Sequence, residues 1–182
     1  MKKYYFIGDI HGCADELIAL IKKINPNPGD ELVSVGDLVN KGPDSELVVQ
    51  TLIQHNAKAV VGNHDELVRL VHAEKMGKKS PIKLKEEHYK LYDSLSKSSI
   101  EYLLELPYSL YFPEIKTRVV HAGICPFKPL EIQSTEELTC IRIVDPLTKT
   151  FIKREKHGYP WYYYYNGEER IIYGHNAAKS IK

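Results

Sequence analysis

Apolar residues in this chain fall into short runs, each of which ends in a glycine followed by polar residues. Tyr4 to Ile7 runs into Gly8-Asp9-Ile10-His11-Gly12, Leu32 to Val35 into Gly36-Asp37, and Ala57 to Val61 into Gly62-Asn63-His64-Asp65. Runs of this length bounded by turn residues read as buried strands that emerge into loops at the edge of a sheet. Between them the period changes from strand to helix. Over Ala14–Ile24 the residues Leu17, Ile18, Leu20, Ile21 and Ile24 stand at helical spacing, and the segment NPNPGD at 25–30 stops that helix. Pro43-Asp44-Ser45 offers the next helix start, with Leu47, Val48, Leu52 and Ile53 as a buried stripe up to about His55. A third helix from about Asp65 carries Leu67, Val68, Leu70 and Val71. Successive strand and helix units of this kind predict a parallel sheet, and such sheets carry ligand sites at the carboxyl ends of their strands.

The middle of the chain differs in character. Lys75–Lys85, KMGKKSPIKLK, is basic and rich in breakers. Its simplest reading is a solvated loop, with steering of an anionic substrate as the functional alternative. Glu86–Leu106 reads as one or two amphipathic helices ending before Pro107. Tyr108–Phe112 and Thr117–Val120 read as strands, the second running into His121-Ala122-Gly123. Residues 138–144, LTCIRIV, and 170–173, RIIY, are further strand candidates, the latter running into Gly174-His175. The segment YPWYYYY at 159–165 has a bland reading, packing and β-propensity, and a functional one, an aromatic wall against a ring-bearing substrate.

Composition narrows the field without choosing within it. The 182 residues fit one domain, and neither a repeat nor a linker divides them, so a single domain over 1–182 is expected. With 25 basic and 24 acidic residues there is no bulk-charge case for a nucleic-acid partner. No signal-peptide pattern and no stretch long enough to span a bilayer is present, so no membrane partner and a cytoplasmic location are expected. Cys13, Cys125 and Cys140 are widely separated and form no CxxC pair, which argues against a disulfide framework or a zinc knuckle.

The polar residues at the strand ends are Asp9, His11, Asp37, Asn63, His121 and His175, with His64 beside Asn63. Any one of them alone is more simply a helix cap or a satisfied histidine. Five strand ends presenting oxygen and nitrogen donors in this way point to a metal site. GDIHG at 8–12, GDLVNKGP at 36–43, GNHD at 62–65, HAG at 121–123 and YGH at 173–175 resemble, in order, the signature blocks of the calcineurin-like metallophosphoesterases. Within that superfamily they look like the phosphoprotein-phosphatase branch, and most like the ApaH-like phosphatases related to symmetrical diadenosine tetraphosphatase.

The resemblance implies an α/β fold of two packed sheets flanked by helices and built from βαβ units. It implies two divalent ions, Mn, Fe or Zn, with Asp9 and His11 on the first, Asn63, His121 and His175 on the second, and Asp37 bridging both. Water activated between those ions would attack a phosphate ester or anhydride directly. His64 would be the general acid, and Lys41 and Arg142 would bind the substrate phosphate. Arg118, beside the HAG strand, is more simply structural. Two residues depart from the commoner GDxVDRG pattern: Asn40 stands in the Asp position and Lys41 in the Arg position. An amide oxygen is then the most that Asn40 offers His64, so a weaker network or a replacement orienter such as Asp65 is expected, and Lys41 gives a point charge in place of a fork. The family pattern also continues past the GH block with further strands, so a domain lacking its last strands is expected.

The substrate implied is a phosphorylated small molecule, nucleotide or phosphoprotein, with the diadenosine-polyphosphate type ahead of the serine/threonine phosphoprotein type. The rivals are a non-catalytic metal-binding module and a mononuclear metal-binding regulator. Oligomeric state is not legible in the sequence.

Overall fold

The structure is a computed structural model and describes residues 2–152 and 158–176. The first half is the expected run of strand and helix units. Strand β1 (Tyr4–Ile7), helix α1 (Ala14–Ile24), strand β2 (Glu31–Ser34), helix α2 (Ser45–Gln54), the short strand β3 (Lys58–Ala59) and helix α3 (Asn63–Lys75) follow in order. The three strands form a parallel sheet in the order β1-β2-β3. Each has the alternation of a strand covered on both faces. Tyr5, Ile7 and Leu32 face α1, α2 and α3, whereas Tyr4, Phe6 and Val33 face a second sheet.

Local chemistry sets the helix ends. In α1, Asp15 and Glu16 lie in the first turn and Lys22 and Lys23 in the last, as the helix dipole favours, and Asn25 closes the helix in the left-handed region at φ 45°. In α2 the Asp44 side chain accepts from the Leu47 backbone N–H at 2.8 Å. The stripe expected on α2 needs correcting. Val48, Val49 and Leu52 are fully buried, while Leu47 and Ile53 are about two-fifths exposed (40% and 37%). The helix is turned so that the 48/49/52 edge meets the sheet, and an all-apolar sequence there leaves the choice of face to tertiary packing.

The middle segment forms two helices, α4 (Glu86–Asp93) and α5 (Lys97–Glu105), and the basic stretch after Lys75 is a loop. Arg69 of α3 donates to the carbonyls of Leu103, Leu104 and Leu106, so the carbonyls at the end of α5 are satisfied by one guanidinium. The second sheet comprises β4 (Ser109–Phe112), β5 (Thr117–Val120) and β9 (Arg170–Ile172) in the order β4-β5-β9. It faces the first across Val33, Val35, Val60, Phe112 and Val119, which gives the two-sheet sandwich expected.

The strand expected over 138–144 is borne out only at Ile143 and Val144, and its surroundings were not anticipated. Residues 138–140 do not begin a strand but end a helix, α6 (Thr135–Cys140), because Ser134 and Glu137 form a reciprocal capping box that nucleates it. A third small sheet then forms from β6 (Ile143–Asp145), β7 (Thr150–Ile152) and β8 (Tyr159–Pro160), in the order β7-β6-β8. Its core is Trp161, packed with Val120, Ala122, Ile141 and Val144. The YPWYYYY segment therefore splits its duties: Trp161 is 2% exposed and structural, whereas Tyr162 and Tyr163 are exposed. Among the described residues no helix is long and apolar enough to cross a membrane.

Candidate metal centre

The loops after β1, β2, β3, β5 and β9 meet at one edge of the sandwich, and backbone hydrogen bonds fasten them together. The Ile10 and His11 N–H groups donate to the Asp37 carbonyl at 3.0 and 2.8 Å, and the Gly174 N–H donates to the His121 carbonyl at 2.7 Å. Packing these loops so closely needs unusual backbone. His11, Asp37, Asn40, Lys41 and His175 all lie at positive φ, between 51° and 73°, a left-handed region that side chains other than glycine adopt at a cost of order 1–3 kcal/mol each. Two glycines are required for a different reason, close approach. A Cβ on Gly62 would overlap the Asp37 backbone and carboxylate, and one on Gly174 would overlap the Asp9 carboxylate.

Asp37, 2% exposed, lies at the centre. Its Oδ1 is 3.4 Å from His121 Nε2 and its Oδ2 is 3.5 Å from His11 Nε2, so each carboxylate oxygen faces a different histidine. Among the described residues, two groups of three donors have all their ligand atoms within 4.8 Å of one another: His11, Asp37 and His64, and Asp37, His121 and His175. Asp37 belongs to both. Asn63 Oδ1 reaches His121 Nε2 at 3.2 Å, and Asp9 Oδ2 lies 4.0 Å from His11 Nε2 while its two oxygens accept from the His175 N–H at 3.1 and 3.2 Å. All six donors named from the sequence are thus brought to one edge of the fold.

The donor set fits divalent cations. His121 Nδ1 donates to the Val35 carbonyl at 2.9 Å, which turns Nε2 toward the oxygens of Asn63 and Asp37. In the protein alone an Nε2 proton bridges His121 to those oxygens, and a divalent ion in its place would be held by the same three atoms. Two donors about 2.1 Å from a common ion stand roughly 3.0–3.4 Å apart at ordinary ligand angles, which matches the 3.2 and 3.4 Å separations seen here. In the protein alone these crowded groups perturb one another's protonation. Burial works against charge on His121, but the Asp37 carboxylate outweighs it and raises the imidazole above its usual range. Burial likewise opposes ionisation of Asp37, yet His121 and the His64 N–H hold its carboxyl down at about 2. His175 is pushed down to about 4 by burial first and by the charges of His121 and Arg142.

The two cations singled out from the sequence also lie at this edge. Lys41 Nζ stands 2.9 Å from His11 Nε2, and Arg142 Nε donates to His175 Nε2 at 3.2 Å. Each thus meets an imidazole nitrogen of a candidate ligand. His64 packs edge-on against His11, with ring centroids 4.9 Å apart. Asn40 Nδ2 donates to His64 Nδ1 at 2.8 Å. The amide orientation is fixed, because Asn40 Oδ1 accepts the Lys41 N–H at 2.8 Å. Burial first, then the charge of Lys41 and the neighbouring imidazoles, lower the His64 pKa against the pull of Asp37.

Asp65 is not the orienter of His64. Its carboxylate is fully buried and accepts from the N–H groups of Leu38 and Val39 at 2.9 and 3.3 Å and of Gly62 at 2.8 Å. Burial and the neighbouring Asp37 raise its carboxyl to about 7 against those N–H donors. Its position three residues after Gly62 is that of a capping residue, a signal legible in the sequence but assigned there to His64 instead. Arg118 pairs with Glu169 through two hydrogen bonds, at 2.5 and 2.9 Å, and is structural as expected. The sequence did not locate the cavity of about 480 Å³ beside Asp9 and His175, which is lined in part by Arg142, Tyr162 and Tyr173.

A parallel sheet opposed by a second sheet, with carboxylate, amide and imidazole donors at the shared edge, defines a metallophosphoesterase-type fold. The profile of the family "Calcineurin-like phosphoesterase" matches residues 2–178, and the chain belongs to that family. It is 37% identical over 137 residues to the symmetrical bis(5'-nucleosyl)-tetraphosphatase of Shewanella baltica (strain OS223), a match covering 73% of this chain and 48% of the relative. The protein of the same name from Shewanella oneidensis is 37% identical over 139 residues, covering 74% and 49%. The chain therefore spans about half the length of these curated relatives. A "Crystal structure of a putative diadenosine tetraphosphatase" superposes with a TM-score of 0.80 at 32% identity, covering 97% of this chain and 80% of that one. A metallophosphoesterase from Sphaerobacter thermophilus shares the fold, with a TM-score of 0.50 at 23% identity over 67% and 47%.

Proposed function

We propose that this chain is a metal-dependent phosphohydrolase of the ApaH-like kind, acting on a phosphoanhydride of the diadenosine-polyphosphate type. The observation that carries the reading is the bifacial placement of Asp37, one oxygen toward His121 and the other toward His11. Asp9 and His11 would hold one divalent ion, Asn63, His121 and His175 the other, and Asp37 would be shared. Such ions, of manganese, iron or zinc type, supply acidified water and charge stabilisation of the phosphoryl group when bound.

The chain's own residues then divide the remaining work. Occupation of the histidine nitrogens would free Lys41 and Arg142 from His11 and His175, and like charge would turn both outward toward phosphoryl oxygens. His64 is held by Asn40 with its Nδ1 as acceptor, so a neutral ring carries its proton on Nε2, where it can be directed to the leaving oxygen. Support for the nucleotide class comes from the similarity to the Shewanella tetraphosphatases and from the 32% identical solved structure. The serine/threonine phosphoprotein alternative draws on the same signature blocks and on no separate feature of this site. A cytoplasmic location accords with the free cysteines Cys13, Cys125 and Cys140.

The test is a panel of diadenosine tetraphosphate, p-nitrophenyl phosphate and a phosphoserine peptide, assayed with manganese, iron or zinc and with metal counted per chain. Turnover of the dinucleotide above the peptide is expected, together with a fall of at least about a hundredfold in Asp37→Asn. Two bound metals without turnover of any member would favour a non-catalytic module. One bound metal would favour a mononuclear regulator.

A further inference from the structure

Beside the candidate metal centre the molecule carries an aromatic platform that the phosphoryl chemistry does not use. Tyr162 is 47% exposed, although it lies in a turn whose neighbour Trp161 is 2% exposed. Its ring stacks with that of Tyr173, centroids 6.3 Å apart and planes 29° from parallel, and Trp161 meets Tyr173 edge-on at 5.0 Å. All three line the cavity of about 480 Å³ that also contains Asp9, His175 and Arg142.

The platform is tied to the metal-site loops rather than merely near them. Trp161 donates its backbone N–H to the Arg142 carbonyl at 3.2 Å, while the Arg142 side chain donates to His175. Trp161 also presses its indole onto Gly123, in the loop just after His121, at a point where a Cβ would collide with the ring. Gly123 has φ 141°. One residue, Arg142, therefore spans from the phosphate side of the cavity to the aromatic side. Another cavity, beside Asn63, is lined by Glu66 and Glu136 and by no aromatic ring and no basic residue.

Resting on the phosphoanhydride reading above, we infer that this cavity is a nucleobase subsite, in which Tyr162, braced by Tyr173 and Trp161, stacks the base of a nucleoside phosphate while Arg142 pairs with the phosphate next to its ribose. A cavity of this size suits a nucleotide, and a flat exposed ring offers stacking that accepts any base, with a guanidinium alongside for the charge.

The test uses the full chain as wild type, Tyr162→Ala and Tyr162→Phe, with circular dichroism to check folding. Two readouts are taken: the ratio of kcat/KM for diadenosine tetraphosphate over tripolyphosphate, and equilibrium binding of adenosine monophosphate. Tyr162→Ala is expected to lower the ratio about tenfold and to weaken monophosphate binding by a similar factor, and Tyr162→Phe to keep both. An unchanged ratio and unchanged binding in Tyr162→Ala would overturn the subsite while leaving the hydrolase reading intact. Loss of binding in Tyr162→Ala, in a protein that hydrolyses neither compound even as wild type, would uphold the subsite and overturn the hydrolase reading.

Discussion

At the scale of single residues, Asn40 changes the chemistry of its neighbour without changing its position. The amide keeps His64 in place through Nδ1 but brings no charge, and His64 is accordingly held below its usual pKa by burial and by the charge of Lys41 and the neighbouring imidazoles. A carboxylate at the same place would favour the imidazolium, so Asn40→Asp is expected to move the His64 titration to higher pH. Histidine NMR resonances followed against pH in metal-free protein check this, and an unchanged midpoint would refute the contact. The identity of residue 40 was legible in the sequence. The amide oxygen expected to face His64 does not: it accepts the Lys41 N–H, with both residues at positive φ, and leaves Nδ2 for His64, a choice set by local backbone that the sequence does not display.

At the scale of elements, α2 shows where patterning stops being decisive. Leu52 is fully buried and Leu47 is 40% exposed. Leu52→Ala is expected to cost about 2–5 kcal/mol and Leu47→Ala less than about 1 kcal/mol, as read by urea denaturation. Equal losses would mean that the helix presents a different face. The strand-to-loop junctions were legible because a period-two apolar run and a terminal glycine are both local signals. Helix α1 was read at its observed bounds, Ala14–Ile24, since apolar spacing and the proline-rich stop agree. Helix α6 was missed because Leu138, Cys140 and Ile141 suit a strand as well as a helix, and only the Ser134–Glu137 box decides. Of the third sheet, the strand read over 138–144 caught Ile143 and Val144 of β6, while β7 and β8 were missed because strands of two or three residues are too short to show a period.

At the scale of the whole molecule, the candidate donors come from both halves of the sandwich: Asp9, Asp37 and Asn63 follow strands of the first sheet, and His121 and His175 follow strands of the second. Ions bound there would cross-link the sheets and stabilise the native state by mass action. Raising manganese to a hundred times its Kd is expected to add about 2.7 kcal/mol per site, and chelation by EDTA to lower Tm and abolish phosphatase activity, both restored by metal. Calorimetry with and without EDTA checks this, and a Tm indifferent to metal would argue against a bridging site.

Asp65 gives this arrangement a particular mechanics. One interior carboxylate takes hydrogen from the Leu38 and Val39 amides on one side and the Gly62 amide on the other, so the segments bearing Asp37 and Asn63 share a single hub. That hub ties the two segments to each other within the first sheet, without help from the second. An ion lost from the site would leave the carboxylate and the amide at the spacing its successor needs.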